Sequence, residues 1–256
     1  MPSPQRRLRG LDDEPLQIWN ILPFTNLIAA LDAIKAISVP RAPLGLITGK
    51  AGSGKTFAAE VYAYNRKNVA IVTVPPKNIR TIRLLLEHLA AAVEVDPGAH
   101  LRKADLFYAI VNAVAAGGQF IIVDEADRLY AADCDMLREI ADLTGKPLAF
   151  LGLQSVEAVL ARVAATHHRI GFRHTTSPPD LEDVERALVG KALDTAGQRK
   201  LDIPTVQAIY QCTKGNPRHM DRLVNLLVGA ERNGEKYAVK PESVVKLNRQ
   251  FLKLAA

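Results

Sequence analysis

Apolar and polar positions divide the first 165 residues into segments of two kinds. Short apolar runs with no polar face predict buried strands, and longer stretches with apolar residues three or four positions apart predict helices. The predicted strands cover residues 44–48, 68–74, 119–124 and 147–153. The predicted helices cover residues 79–93, 103–116, 133–144 and 155–165. This alternation predicts an α/β fold, with a parallel sheet covered by helices on both faces.

A second region begins where the strand pattern stops. After the sequence Thr-Thr-Ser-Pro-Pro-Asp at 175–180, only helical periodicity remains. The helices predicted there cover residues 181–196, 203–213, 216–232 and 241–254. We therefore predict three parts: a flexible N-terminal arm and approach at 1–24, an α/β core at 25–178, and a small helical lid domain at 179–256.

The loop after the first predicted strand has the sequence Gly-Lys-Ala-Gly-Ser-Gly-Lys-Thr and fits the P-loop pattern G-x-x-x-x-G-K-[ST]. Glycines let main-chain N–H groups turn toward phosphate oxygens, and a following helix presents its positive end to the anion. The lysine carries a charge to the β- and γ-phosphates, and the threonine hydroxyl is a Mg²⁺ ligand. The predicted ATP-binding residues are Gly49, Ala51, Gly52, Ser53, Gly54, Lys55, Thr56 and Phe57.

The strand Phe-Ile-Ile-Val-Asp-Glu at 120–125 supplies the acidic half of the predicted site. Asp124 follows four apolar residues, where a carboxylate at the end of a strand holds Mg²⁺. Glu125 projects differently and is the predicted base that orients the attacking water. Together the two motifs predict an ATPase whose cofactors are ATP and Mg²⁺, with Lys55 and Glu125 as catalytic residues.

Residues 124–127 read Asp-Glu-Ala-Asp, which raises the question of a DEAD-box helicase. The Ser-Ala-Thr motif and the second lobe of such an enzyme are not found in the sequence. Instead Leu153-Gln154 follows the fourth strand, and Gly215-Asn216-Pro217-Arg218 opens a helix of the lid. With the P-loop, these motifs resemble an AAA+ module over about residues 25–235, in which Gln154 stands near the sensor-1 position and Arg218 is similar to the sensor-2 arginine.

Within the AAA+ proteins, the chain most resembles transposition regulators, the group of the phage Mu B protein and the TnsC and TniB ATPases. The strings that carry this resemblance are "FAAEVYAYN", "IVTVPPKNIRTIRLLLEHLA" and "IIVDEADRLYAADCDMLREIADLTGKPLAFLGLQSVEAVLAR". The resemblance implies a homo-oligomer, as a ring or helical filament, that forms on duplex DNA. It also implies delivery of target DNA to a transposase. Because Gln154 stands one position late for sensor 1, slow hydrolysis is expected.

AAA+ sites are completed by an arginine from the adjacent subunit, which stabilises charge on the γ-phosphate in the transition state. Three arginines follow the fourth-strand helix, and they are Arg162, Arg169 and Arg173. Arg169 is the first choice for this catalytic role, and Arg173 is the second. A solvated basic face is the alternative for each.

The net charge of +6 and the pI of about 9.3 favour an anionic partner. The loop and helix start after the second strand are the predicted duplex-DNA interface, together with a basic pair before the next helix. The residues are Lys77, Asn78, Arg80, Thr81, Arg83, Arg102 and Lys103. No aromatic residues interleave them, so binding to the duplex backbone with strong salt dependence is expected.

Three other classes of protein were weighed. Cys134 and Cys212 show no disulfide or zinc spacing, which favours a cytoplasmic protein, and no apolar run is long enough to span a membrane. A helicase loader of the DnaC or IstB kind and a secretion-associated ATPase of the ExeA type stay open as alternatives. Intact Lys55, Asp124 and Glu125 argue against a nucleotide switch that does not hydrolyse.

Overall fold

The computed structural model describes residues 25–37, 43–64, 66–98, 101–191, 200–229 and 239–252. The predicted arm at 1–24 lies outside these residues. The chain divides into two compact units. The core unit contains residues 25–51 and 55–176, and the C-terminal unit contains residues from 177 onward, together with the loop residues 52–54.

Five parallel strands form the sheet of the core unit in the order β2-β3-β4-β1-β5. Their bounds are β1 Leu44–Gly49, β2 Val69–Thr73, β3 Phe120–Asp124, β4 Leu148–Gly152 and β5 Ile170–Thr176. Every residue of β1, β3 and β4 is buried, as their continuous apolar runs predict. The α/β prediction is confirmed.

One helix precedes β1, and the other helices in the described part of the core unit lie between successive strands. Their bounds are α1 Thr25–Lys35, α2 Lys55–Tyr64, α3 Ile82–Ala92, α4 Lys103–Gly117, α5 Ala131–Thr144, α6 Ser155–Ala161 and α7 Ala164–His167. Apolar side chains of α3, α4 and α5 meet the sheet in one cluster that includes Leu85, Ile110, Leu137 and Phe150. This cluster fixes the ends of the strands, where the sequence motifs lie.

Helix α3 begins at Ile82, three residues later than the sequence predicts. The Thr81 hydroxyl accepts a hydrogen bond from the Leu84 N–H at 3.1 Å, which satisfies a main-chain donor of the first turn. Residues 74–81, named here the β2–α3 loop, therefore precede the helix. Helix α4 ends at Gly117, and Gly118, with φ 61°, takes the left-handed conformation in which helices commonly end.

Strand β5 was not predicted. Its residues alternate between buried or half-buried and exposed positions, because it pairs only with β1 at the edge of the sheet. Its sequence, Ile-Gly-Phe-Arg-His-Thr-Thr, lacks the continuous apolar run of the central strands.

The described part of the C-terminal unit is helical, as predicted. The helices are α8 Leu181–Leu188, α9 Ile203–Thr213, α10 Pro217–Gly229, α11 Pro241–Leu247 and a π-helix at Asn248–Leu252. Helix α8 is shorter than the predicted 181–196, because Val189 is extended and Gly190 has a positive φ of 79°. The apolar core of the C-terminal unit includes Val184, Ile209, Leu223 and Val244. None of the helices in the described ranges is long and apolar enough to cross a bilayer.

Candidate functional site

Lys55 lies at the start of α2, directly after the P-loop. Its Nζ atom donates hydrogen bonds to the carbonyl oxygens of Gly49 and Lys50, both at 3.0 Å. Burial lowers the pKa of Lys55, while the charges of Asp124, Asp127 and Glu125 act to raise it. The fold thus brings the lysine and the acidic motif, far apart in sequence, into one electrostatic site.

Asp124 ends β3 and is 3% exposed. One of its carboxylate oxygens accepts the Glu125 N–H at 2.9 Å, and its side chain also hydrogen-bonds with Thr56. Burial raises the pKa of Asp124, and these hydrogen bonds oppose that effect. A carboxylate beside a threonine hydroxyl is the oxygen set that Mg²⁺ uses in P-loop proteins, so the residues fit that ion.

Glu125 has a left-handed backbone, with φ 57° and ψ 36°. This conformation is uncommon for a residue with a side chain and is concentrated at functional sites. The Arg128 Nη2 atom lies 3.4 Å from Glu125 Oε2. Burial raises the pKa of Glu125, which makes it a stronger base, and the Arg128 charge opposes this.

Asp127 connects the acidic motif to the end of β4, a role that the sequence did not reveal. Its Oδ1 atom accepts the Leu153 N–H at 3.0 Å. A Cβ on Gly152 would lie 2.8 Å from the same oxygen and 3.1 Å from the Asp127 main-chain nitrogen, so a larger residue there would displace the Asp127 side chain. Gln154 follows, exposed, at the start of α6, and its sensor-1 role stays a prediction.

The structure corrects the prediction that Arg80 contacts DNA. The Arg80 Nη2 atom lies 2.8 Å from Asp133 Oδ2, and the two side chains are 1% and 2% exposed. The guanidinium also covers the Tyr130 ring at 4.0 Å and donates to the Arg128 carbonyl. A side chain so enclosed is not available to a phosphate.

Arg83 is engaged in contacts within the chain, and its contact with DNA stays a prediction. Its Nε atom pairs with Glu87 Oε1 at 2.6 Å. Its Nη2 atom donates to the carbonyl oxygens of Pro97 and Gly98 at 3.3 and 3.2 Å, and its Nη1 atom donates to the Leu101 carbonyl. Arg83 therefore fixes the segment between α3 and α4.

The other predicted DNA residues lie at the surface. Lys77 and Asn78 are exposed in the β2–α3 loop, and Lys103 is exposed at the start of α4. Arg102 is exposed as well, although its Nε atom pairs with Asp105 at 2.9 Å. Thr81 is exposed, with its hydroxyl oxygen engaged in capping α3. DNA contact by these residues stays a prediction.

The two preferred candidates for the arginine finger, Arg169 and Arg173, differ in their surroundings. Arg169 is one-third exposed, and its Nη1 atom lies 3.4 Å from Asp142 Oδ1. Arg173 is exposed on the edge strand β5, where its Nη2 atom lies 3.3 Å from His167 Nε2. Arg173 is the one whose guanidinium has no carboxylate within ion-pair distance among the described residues.

Arg218 lies exposed in the first turn of α10, in the C-terminal unit. The Asn216 side-chain oxygen accepts the Arg218 N–H at 3.1 Å and so caps this helix ahead of Pro217. The Asn-Pro pair thus fixes the start of the helix that carries Arg218. Its sensor-2 role stays a prediction.

The buried pair of Arg80 and Asp133 has a testable consequence for stability. The change Arg80→Met should lower the free energy of unfolding by about 3–5 kcal/mol, because it leaves a buried carboxylate without its counter-charge. Arg186→Met is the matched control, since Arg186 pairs with Glu182 where the side chains are 64% and 81% exposed. That change should cost less than about 1 kcal/mol. Equal urea midpoints for the two variants would contradict this account.

Comparison with known proteins shows which domains and folds this chain is similar to. A family of AAA domains (AAA_22) matches residues 40–160. The structure is also similar to a Cdc6 protein from Pyrobaculum aerophilum, with a TM-score of 0.65 at 19% identity over 90% of this chain and 68% of that chain. For the ORC2 protein of Aeropyrum pernix the TM-score is 0.68 at 13% identity, over 92% of this chain and 69% of that chain. Residues 40–160 therefore match a family of AAA domains, which supports ATP binding and ATPase activity in general, and the two solved structures show that the chain shares their fold.

In sequence, the chain is similar to the ATP-dependent target DNA activator B of Escherichia phage Mu. The two are 28% identical over 193 residues, which are 73% of this chain and 56% of the phage protein. The namesake protein of Escherichia phage D108 is 28% identical over 136 residues, 53% of this chain and 39% of that protein. A potential ATP-binding protein of Staphylococcus aureus is 34% identical over 107 residues, 40% of each chain. The chain thus spans between 39% and 56% of the length of these relatives.

Proposed function

We propose that the protein is a Mg²⁺-dependent ATPase that assembles on duplex DNA in its ATP-bound state and delivers that DNA to a transposase in the cytoplasm. The proposal rests on one site, in which Lys55, Thr56, Asp124 and Glu125 lie together. The chain that holds this site is similar to phage target DNA activators. Slow hydrolysis coupled to assembly is part of the proposal, since Gln154 departs from the usual sensor-1 residue.

The P-loop would hold the phosphates of ATP. Lys55 would place its ammonium against the β- and γ-phosphates, while Thr56 and Asp124 would hold Mg²⁺ through a hydroxyl and a carboxylate oxygen. Bound Mg²⁺ supplies neutralisation of the charge on the phosphate oxygens. Arg218 would add a cation from α10.

Glu125 is proposed to take the proton of the attacking water on a carboxylate oxygen. Glu125 follows Asp124 directly, and its main chain is in the left-handed conformation. We assign the two neighbouring carboxylates different roles, with Asp124 as the Mg²⁺ ligand and Glu125 as the base. Asp124 is held by its hydrogen bonds, whereas Glu125 is partly exposed and accessible to water.

The proposed DNA interface is smaller than the one predicted from sequence, because Arg80 and Arg83 are occupied within the chain. It consists of Lys77 and Asn78 in the β2–α3 loop, with Arg102 and Lys103 at the start of α4. The Arg102–Asp105 pair is largely exposed, so exchanging its partner for a phosphate costs little. Such contacts are made to the DNA phosphates and do not distinguish one base sequence from another.

Removing Lys77 tests this interface. Lys77→Ala should weaken duplex binding about equally on different sequences, and it should lower the slope of log K against log salt by about one. Lys67→Ala is the control, because Lys67 is exposed just before β2, at the opposite end of the same strand. Filter binding at several salt concentrations measures both slopes. Identical slopes for the two variants would remove Lys77 from the interface.

The pairing of Arg169 within its own chain bears on the choice of the arginine finger. We propose Arg173 ahead of Arg169, because Arg169 pairs with Asp142 in its own chain. Arg173→Ala should lower ATP turnover by about 10³-fold or more while ATP binding persists, as expected for loss of a transition-state cation. Mixing Arg173→Ala with Glu125→Gln subunits should restore part of the turnover, since each supplies what the other lacks. No recovery in the mixture would contradict a role across subunits.

A further inference from the structure

Asn216 caps helix α10 with only one of the two polar atoms of its side-chain amide. Its Oδ1 atom accepts the N–H groups of Arg218 at 3.1 Å and of His219 at 3.4 Å. Because these donors need an acceptor, the amide oxygen faces the helix and the Nδ2 group lies on the other side of the amide. The capping role therefore does not use Nδ2.

The Nδ2 group lies against Gly52 of the P-loop. Residues 52–54 belong to the same compact unit as α10. A Cβ on Gly52 would overlap Asn216 Nδ2 and lie 2.9 Å from Asn216 Oδ1, so the amide occupies the space that a side chain at position 52 would fill. Gly52 also has a positive φ of 79°, which favours glycine. One side chain thus contacts both the P-loop and the start of the helix that carries Arg218.

The main chain before α10 holds this amide in place. Gly215 has a φ of 72°, and a Cβ on it would overlap the Pro179 carbonyl oxygen, so the two segments pass closely. The Asn216 N–H donates to the Thr213 carbonyl oxygen at 3.0 Å. Pro217 favours the extended conformation that a capping residue adopts at the position before it. The Asn216 side chain therefore projects from a turn that is fixed on both sides.

The part of the P-loop that Asn216 contacts is rich in glycine. Gly52 and Gly54 have φ values of 79° and 86°. Glycine loses more conformational freedom on ordering than any other residue. A contact from outside the loop that orders these residues before the nucleotide arrives therefore lowers the entropy cost of phosphate binding.

From this arrangement we propose that Asn216 is a positioning residue for ATP binding, which caps α10 through its oxygen and holds Gly52 through its nitrogen. The inference rests on the part of the proposed function in which the P-loop holds ATP, and it needs no DNA contact. With the amide in place, the P-loop glycines are ordered before ATP binds. Without it, ATP binding has to order residues 52–54 itself.

Two substitutions separate the contact with Gly52 from the capping of α10, because serine and aspartate cap helices about as well as asparagine. Asn216→Ser keeps a capping oxygen but is too short to reach Gly52. It should weaken ATP binding and raise KM about three- to tenfold, the cost of ordering the loop on binding, while kcat stays within about twofold. Asn216→Asp places a charged oxygen where Nδ2 lies. It should weaken ATP binding more than about tenfold, because the carboxylate repels the phosphates.

The matched controls carry the same kinds of change elsewhere in the C-terminal unit. Asp202→Ser changes the cap of α9, where Asp202 Oδ1 accepts the Thr205 N–H at 2.9 Å. Asn225→Asp adds the same charge at an exposed position of α10, about 13 Å along the helix axis from Asn216. Both controls should keep ATP affinity within about twofold. Anisotropy of a fluorescent ATP analogue measures the affinities, and urea midpoints show that the caps are kept.

A second readout needs no nucleotide. Hydrogen–deuterium exchange of the nucleotide-free protein should be faster across residues 52–54 in Asn216→Ser, and unchanged there in Asp202→Ser. Unchanged or tighter ATP binding in Asn216→Ser overturns the inference, because Asn216 would then be only a helix cap or would hinder the loop. If Asn216→Ser does not fold, the ATP affinity of Asn216→Asp, compared with that of Asn225→Asp, decides in the same way.

The inference and the proposed function fail separately. If the unchanged protein binds no ATP, the proposed function is lost, and the exchange rates of residues 52–54 still decide whether Asn216 holds the loop. If the unchanged protein binds ATP but no duplex DNA, the ATP affinities of the Asn216 variants still decide the inference.

Discussion

Replacing Glu125 with glutamine should lower ATP turnover by about 10²- to 10⁴-fold, the range for loss of a general base. Glutamine keeps the size of the side chain and its hydrogen-bonding oxygen but does not take a proton. Asp124, Thr56 and Lys55 are untouched, so ATP affinity should stay within about twofold of the original. The variant should therefore accumulate in the ATP-bound state and stay on DNA when the unchanged protein has dissociated.

Glu94→Gln is the matched control for this experiment. Glu94 is also a glutamate in the left-handed conformation, with φ 62°, and it is exposed after α3. The same chemical change at that position should leave turnover unchanged. The ATP turnover of both variants is measured as phosphate release at saturating ATP. Normal turnover in Glu125→Gln would show that another group is the base.

Replacing Lys55 with alanine should abolish nucleotide binding at micromolar protein concentrations. Removing one partner of a buried, hydrogen-bonded charge contact costs about 2–5 kcal/mol of binding free energy. Lys55 is 8% exposed, and its charge lies among three carboxylates, so its loss also leaves their mutual repulsion uncompensated. Binding of a fluorescent ATP analogue, followed by anisotropy, gives the affinity directly.

Lys50→Ala is the control for the lysine experiment. Lys50 lies in the same loop at a variable position of the motif, its side chain is exposed, and only its carbonyl contacts Lys55. Its replacement should change ATP affinity by no more than about twofold, as expected for an exposed charge. Unchanged affinity in Lys55→Ala would contradict the assignment of the P-loop.

The central strands and the P-loop were predictable because their signals are local. An apolar run such as Leu44–Thr48 has no polar face to offer solvent, so its burial follows from composition. The P-loop is eight consecutive residues, and its glycines and lysine all contribute to phosphate binding. Strand β5 carries no such signal, since its Gly171 and Arg173 alternate with half-buried residues at a sheet edge.

The role of Arg80 was not predictable, because its partner Asp133 lies beyond two helices and a strand in the sequence. The sequence alone does not distinguish a basic loop residue that contacts DNA from one that is paired within the chain. The role of Asp127 was not predictable either, because it depends on the Leu153 N–H. Contacts between distant segments decided which of the predicted basic residues remain free for DNA.

Sedimentation of the protein with duplex DNA, in ATP, a slowly hydrolysed analogue or ADP, tests the central claim most directly. We expect ATP and the analogue to carry the protein down with the DNA at low salt, and ADP to leave it in solution. Glu125→Gln should cosediment with ATP for longer than the unchanged protein. Absence of cosedimentation in every nucleotide state at low salt would contradict the proposed function, and the exposed lysines of the β2–α3 loop and α4 would then be solvated surface.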